Sequence, residues 1–414
     1  MTKRNTSFVV SESLKHYRLA RNKGLVHNHI HSRQGKSLVL DNNINVIDFI
    51  NCSYLGLDTH PEVIAAYNSS PNNLGANFCC ARTRLTDYSL KHLEERLREL
   101  FRGRVVTFPS VTATHMSVMP LIASGVLINP DHPPAMHLIF DRFAHASMQF
   151  LIPILEKECR ISVIEHNNLD ELMHQVSESR NLGETVVYVA DGIYSMGGAC
   201  PIADLLALAE QEEFFLYIDD AHGTSILGNN GEGPVLSQIK GTIPPNLFVT
   251  FSMTKGFGVA GGGIVISHPL QEELIRTYGM VYAFSAPLDF SSTRAAHAAL
   301  NLHFNGVVST RQKTLRQKVE LFDRLMGRSE AFSPIRMIRI GLERDAIEIA
   351  ASLLRRGFLT VVAFFPVVSR GNAQLRICLS TEHSDEQIIQ LTENIRQLMT
   401  EQRDLKMKGQ DRAV

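Results

Sequence analysis

One lysine stands in a setting where its amine could do chemistry. Residues 247–267 read LFVTFSMTKGFGVAGGGIVIS: an apolar run ends in small hydroxyl residues, Lys255 follows, then glycines and a second apolar run. Strand, tight glycine-rich loop and strand is the economical reading. A lysine held between two strands can be desolvated, and desolvation lowers its pKa towards that of a nucleophilic amine. Polar residues also follow three other apolar runs, at 141–147 (DRFAHAS), 191–198 (DGIYSMGG) and 219–224 (DDAHGT). In a wound α/β sheet the ligand site lies beyond the carboxyl ends of the strands, which is where such residues would gather.

The stretch around Lys255 admits three readings. The first is a surface hairpin with a solvated lysine. The second is a nucleotide loop, because Gly256, Gly258 and Gly261 spell G-x-G-x-x-G. That fingerprint requires the glycines to open a helix and an acid to follow near the end of the next strand. Here Gly263 runs into a β-type segment ending Ser267-His268, with no acid. The third is a Schiff-base lysine carrying pyridoxal 5'-phosphate (PLP), with neighbouring hydroxyls reaching the phosphate. Asp219, Asp220 and His222 could also ligate a metal, but no further ligand cluster accompanies them, so no metal is expected.

The elements that must position these residues follow from the pattern. Residues 105–108, 136–140, 161–164, 185–190, 214–218 and 247–251 read as buried strands, separated mostly by amphipathic helical segments such as 203–210. Their alternation predicts a mostly parallel, wound α/β sheet. Residues 90–101 (LKHLEERLRELF) have the apolar spacing of a helix, and Pro61-Glu62 suits a helix start. Towards the end, a helix over 345–356, strands over 360–365 and 374–379 and a helix over 385–400 suggest an α+β subdomain. The expected organisation is an N-terminal arm with a short hairpin (1–50), a large domain (51–295) and a small C-terminal domain (296–414), its tail frayed after Arg403.

At 414 residues the chain can bury a sizeable core, and its 20% charged and 44% hydrophobic residues are ordinary for a globular protein. A net charge of -1 gives no reason to expect nucleic acid or an anionic membrane surface as partner. No apolar run is long enough for a membrane span, and MTKRNTSFVV lacks the apolar core of a signal peptide. Cys52, Cys79, Cys80, Cys159, Cys200 and Cys378 are scattered without C-x-x-C spacing, as expected of reduced thiols in a cytoplasmic protein.

Asp-Asp-Ala-His-Gly-Thr at 219–224 together with Thr-Lys-Gly-Phe-Gly-Val at 254–259 resembles the α-oxoamine synthases, over about residues 36–398. Gly35-Lys36-x-Leu38-Val39-Leu40 and Ile193-Tyr194-Ser195 also resemble synthases of α-aminoketone signals. The resemblance implies a PLP-dependent transferase of fold type I, aspartate-aminotransferase-like, with a large, mostly parallel seven-stranded sheet domain and a small α+β C-terminal domain. It implies condensation of an amino acid with an acyl thioester, from acyl-CoA or an acyl carrier protein, with decarboxylation to an α-aminoketone. Another fold-type-I reaction (transamination, or aldolase or lyase chemistry) and a non-catalytic binding subunit are the alternatives.

By the same resemblance, Lys255 carries the cofactor and moves protons, and Asp219 pairs with the ring nitrogen. His222, helped by Ser195, faces the ring oxygen, and His145 stacks on the ring. Ser252, Thr254 and the loop Ser110-Val111-Thr112 hold the phosphate, with Ser285 reaching it across an obligate homodimer with shared active sites. Arg376 clamps the amino-acid carboxylate, a bidentate role suited to guanidinium, and Tyr54 lines the substrate site. Some positions depart from the family pattern. Val111 and Thr112 replace a glycine and an aromatic residue, and Val111 disfavours positive φ, so a different loop geometry is expected. Cys52-Ser53-Tyr54 stands where Asn-Asp-Tyr is common, Pro366-Val367 replaces Pro-Thr, and Ala286 replaces a frequent threonine. The cofactor positions are kept while substrate-facing ones have changed, which implies a non-standard substrate pair.

Overall fold

The computed structural model describes residues 6–69, 74–75 and 80–410, so Cys79 lies outside the described residues. Seven strands form one sheet: β1 (Arg104–Phe108), β2 (Met136–Asp141), β3 (Arg160–Ile164), β4 (Thr185–Asp191), β5 (Phe215–Asp219), β6 (Leu247–Ser252) and β7 (Gly262–Ile266). Their spatial order is β1-β7-β6-β5-β4-β2-β3. β7 runs antiparallel to both its neighbours, and the pairs from β6 to β3 are parallel. The near-continuous apolar character of these strands follows from burial on both faces.

One layer of the core joins the sheet to helices. Val106, Phe140, Val187, Tyr217 and Ile264 from the strands pack with Val118, Met119 and Ile122 of helix α2 (Val111–Ala123). Each such side chain contributes about 1.5–3 kcal/mol on leaving water. The preceding helix, α1 (Tyr88–Phe101), buries Leu90, Leu93, Leu97 and Leu100, the stripe expected from its spacing, and Arg102 ends it in a left-handed conformation at φ 55.

The described chain divides into two compact units. One comprises Leu55–Ser195 and Ala199–Gln312 and contains the seven-stranded sheet; the other comprises the described residues before Leu55, Met196–Gly198 and those from Lys313 onward. In the second unit the strands Ile30–Gln34, Ser37–Leu40 and Ile44–Asp48 form an antiparallel meander, joined in parallel by Phe358–Leu359. Ile335–Gly341, Ala373–Cys378 and Val361–Ala363 form a separate antiparallel sheet.

Two expectations are corrected here and one unforeseen helix is added. The strand expected over 360–365 covers only Val361–Ala363, which pairs with the Ala373–Cys378 strand; before the break at Thr360, Phe358–Leu359 pairs with Ile47 and Asp48. Within the expected N-terminal arm, residues Thr6–Asn22 are helical; with only Ser13 and Ala20 buried, the segment has little apolar periodicity to announce a helix. The final helix continues past Arg403 to Gln410, because the charged residues there are good helix formers. No helix among the described residues is long and apolar enough to cross a membrane.

His383 ties the meander to the second sheet's end. Its Nδ1 accepts from the Ser380 N–H at 3.1 Å, and its Nε2 meets the Asp48 carbonyl at 2.9 Å. The ring stacks on Phe49, centroids 4.0 Å apart. Only the neutral Nε2–H tautomer satisfies both bonds, and burial, then the nearby Lys36 charge, lowers the imidazole to about 3. The unfolded chain takes up this proton near the ordinary histidine pKa while the folded chain does not. The neutral ring therefore contributes stability above that ordinary value, and this is lost as pH falls towards 3. Wild-type unfolding midpoints should decline between about pH 6.5 and 4, and His383→Gln should flatten that segment of the profile. Parallel profiles for the two proteins would refute this.

Candidate active site

The polar strand ends lie side by side in the first unit. β6, β5, β4 and β2 are consecutive in the sheet, and they end at Ser252, Asp219, Asp191 and Asp141. Neighbouring carboxyls this well buried cannot all ionise, so their environments sort them.

Asp219 is the one held as an anion beside the lysine loop. Burial alone would push it up. Instead the hydrogen bond and charge of His115, then the charges of Lys255 and His145, hold it well below the usual carboxylate range. His115 Nε2 lies 3.1 Å from Asp219 Oδ2, and its Nδ1 lies 2.8 Å from the Tyr217 hydroxyl. The Ala221 N–H and the Thr250 hydroxyl donate to Oδ1 at 3.0 and 3.2 Å. Asp191 is pushed well up, first by burial and then by the Asp219 charge, and accepts the His145 N–H at 2.9 Å. Asp220 is pushed up by the same two causes. It also sits among glycines: a Cβ at Gly192 would come within 2.6 Å of Asp220 Oδ1, and one at Gly223 or Gly233 closer still to the carboxyl. Asp141 goes the other way. Burial is outweighed by hydrogen bonds from His166, Asn167 and Phe143, which anchor the turn after β2.

Lys255 sits on the turn between β6 and β7, in the strand–loop–strand form expected. Gly262 pairs with Ser252 and Gly263 with Phe251, so the two strands close the loop at its base. Within it the Met253 N–H donates to the Gly261 carbonyl at 2.9 Å, the Val259 N–H to Met253 at 2.7 Å, and the Thr254 N–H to the Ser252 hydroxyl at 3.1 Å. The glycine spacing has a packing explanation. Gly258 has φ +84, and a Cβ there would lie 2.7 Å from the Leu57 carbonyl carbon; one at Gly256 would lie 2.8 Å from the Thr224 carbonyl oxygen. Dinucleotide binding is not needed to account for them.

The remaining expected residues are placed as follows. Ser110 caps α2 and accepts the Ala113 N–H at 3.1 Å, leaving the N–H groups of Val111 and Thr112 outside the intrahelical ladder. The loop needs no positive φ: Ser110 has φ -160 and Val111 is the first helical residue, so valine is accommodated. His145 caps a short helix, its Nδ1 2.7 Å from the Ser147 hydroxyl. His222 is buried on the turn after Asp220, and Ser195 lies on the loop closed by the Ile193–Ala199 bridge. The Ser285 hydroxyl donates to the Val281 carbonyl at 2.5 Å. Arg376 and Tyr54 belong to the second unit, where Arg376 Nη2 lies 3.5 Å from Cys52 Sγ and Tyr54 is buried. Among the described residues no group of three or more His, Cys, Asp or Glu could hold a metal ion.

His115 escaped the sequence reading. Its signal was a histidine on the apolar face of a helix, with Val118 and Met119 three and four residues on, a place where a polar ring must find a buried partner. Gly262 is constrained by local packing, since a Cβ there would lie 2.8 Å from Val111 Cγ2 and from the Phe251 carbonyl oxygen. Gly262→Ala should cost about 1–3 kcal/mol in a chemical-denaturation experiment; an unchanged midpoint would show that the start of α2 can retreat freely.

Comparison with known proteins bears on what this arrangement serves. Residues 44–395 match the family described as aminotransferase class I and II. The chain is 29% identical to 8-amino-7-oxononanoate synthase of Maricaulis maris over 371 residues, covering 88% of this chain and 90% of that protein. It superposes on a structure of SPT with a PLP internal aldimine at TM-score 0.81 and 20% identity, over 94% of this chain and 98% of the other. It matches Sphingomonas wittichii serine palmitoyltransferase at TM-score 0.81 and 22% identity, over 94% and 97%.

Proposed function

We infer the function from one premise: the chain belongs to the aminotransferase class I and II family, which its match over residues 44–395 establishes. We propose a PLP-dependent enzyme that condenses an amino acid with an acyl thioester, from coenzyme A or a carrier protein, and releases carbon dioxide to leave an α-aminoketone. The curated relative of matching length is an 8-amino-7-oxononanoate synthase, which supports this choice over transamination or aldol cleavage. The observation that carries the reading is one ionised, buried carboxylate, Asp219, within electrostatic reach of Lys255 on the loop that follows the adjacent strand.

The donor set fits the cofactor. PLP, when bound, supplies an electron sink that stabilises negative charge at the amino-acid Cα. Asp219 would pair with the protonated ring nitrogen, and its low pKa keeps it charged for that pairing. Lys255 Nζ would hold the cofactor and then take and return the proton at the substrate Cα. His222 and Ser195 would hydrogen-bond the ring oxygen, while His145 would cover one ring face. Ser252, Thr254 and the N–H groups at the start of α2 would hold the phosphate. Arg376 would orient the amino-acid carboxylate, with Tyr54 lining that site.

We take the protein to act as a homodimer in the cytoplasm, with Ser285 completing the phosphate site across the interface. Tyr278, Met280 and Phe284, 64%, 65% and 80% exposed, flank Ser285 and support burial of that surface.

Borohydride should fix PLP to the wild-type protein and not to Lys255→Ala. Amino-acid-dependent release of free thiol from acyl-CoA or acyl carrier protein should fall by about 10²–10⁴-fold in that variant. Label retained by Lys255→Ala, or an α-keto acid product without thiol release, would overturn the assignment.

A further inference from the structure

A second reactive group lies in the unit that carries Arg376. Arg376 and Cys378 alternate with Ile377 on the Ala373–Cys378 strand and so share a face. The Cys378 N–H donates to the Phe49 carbonyl at 2.9 Å, which draws the segment after Phe49 against the end of that strand. Cys52 lies on that segment. Its sulfur sits 3.5 Å from Arg376 Nη2 and is hydrogen-bonded to the Cys378 thiol. Cys52 is partly exposed, whereas Cys378 is fully buried.

We propose that Cys52 and Cys378 form a reversible thiol–disulfide pair, with Cys52 as the peroxide-reactive thiolate, Cys378 as the resolving thiol and Arg376 as the cation that holds the thiolate. The inference does not depend on the function proposed above. The hydrogen bond from Cys378, then the Arg376 charge and the Tyr54 hydroxyl, hold the Cys52 thiol well below the ordinary cysteine range, against its burial. The same hydrogen bond, together with burial, pushes Cys378 well up, so the pair's proton stays on Cys378. Tyr54 is likewise pushed up, chiefly by burial, and remains a neutral donor. Lys36, whose ammonium group is buried, adds positive potential at Cys378.

The oxidation balances with a hydroperoxide as the only co-reactant. The Cys52 thiolate attacks one peroxide oxygen: an S–O bond forms, the O–O bond breaks and hydroxide leaves. Cys378 then attacks the oxidised sulfur, the S–O bond breaks, and the thiol proton leaves with the sulfur-bound oxygen as water. One thiolate, one thiol and one hydrogen peroxide thus give one disulfide, one water and one hydroxide, which takes up a proton from solvent. The anion paired with Arg376 becomes a neutral sulfur, so the redox state is transmitted to the guanidinium.

The test uses the full reduced protein and hydrogen peroxide. At neutral pH Cys52 should be alkylated by iodoacetamide about tenfold or more faster than Cys159, a partly exposed thiol whose burial pushes it up to about 12. After peroxide, peptide mapping should recover a 52–378 cross-link that dithiothreitol reverses. Cys378→Ala should stop at a Cys52 sulfenic acid trapped by dimedone, and its Cys52 alkylation should need higher pH. Equal alkylation of Cys52 and Cys159, or oxidation of the wild type without the cross-link, would overturn the proposal, and these wild-type readings decide even if the variant fails to fold.

Discussion

An ionised carboxylate with almost no exposure is costly unless its surroundings are built for it, and Asp219 shows what that building entails. His115 must reach it from α2, Thr250 from β6 and the Ala221 N–H from the next turn. Three elements are thereby fixed against the end of β5. Burial, and after it that charge, pushes Asp191 and Asp220 up, so the three carboxyls do not compete as equals for ionisation. His115 is the largest of these supports, so its removal would do most to raise Asp219 towards proton uptake.

The sheet was legible because a strand buried on both faces leaves an unmistakable apolar run, and each run here is bounded by polar or glycine-rich turns. β7 was readable for the same reason, and its antiparallel direction follows from the short loop that leads into it. The helix Thr6–Asn22 was not readable, because most of its residues face outward and periodicity is the signal of a buried stripe. The split at Thr360 was hidden for another reason. Apolar pattern reports burial, not which neighbour a strand pairs with, and here successive residues pair with different sheets.

At the candidate site the legible residues were those at strand ends, because chain direction alone places them together. Lys255, Asp219 and His145 follow neighbouring strand ends, but the main support of the Asp219 charge, His115, lies outside that pattern. His115 and the thiol of Cys378 were illegible, since their partners lie 104 and 324 or more positions away along the chain or in another element. Val111 disfavours positive φ, and the entry into α2 asks for none. The actual entry into α2 is capped by a serine side chain in extended conformation and tolerates a β-branched residue at once.

The glycines around Asp220 carry a consequence for how this sequence can change over time. Gly192 follows β4, and Gly223 and Gly233 lie on the connection after β5, yet a side chain at any of the three would meet the same buried carboxyl. A shorter residue at position 220 would open the space beside Gly192, whereas a side chain at Gly223 would still meet Pro234 and Gly233 keeps its positive φ. The residue at position 220 therefore sets what position 192 can become, while the other two glycines stay tied to the backbone around them.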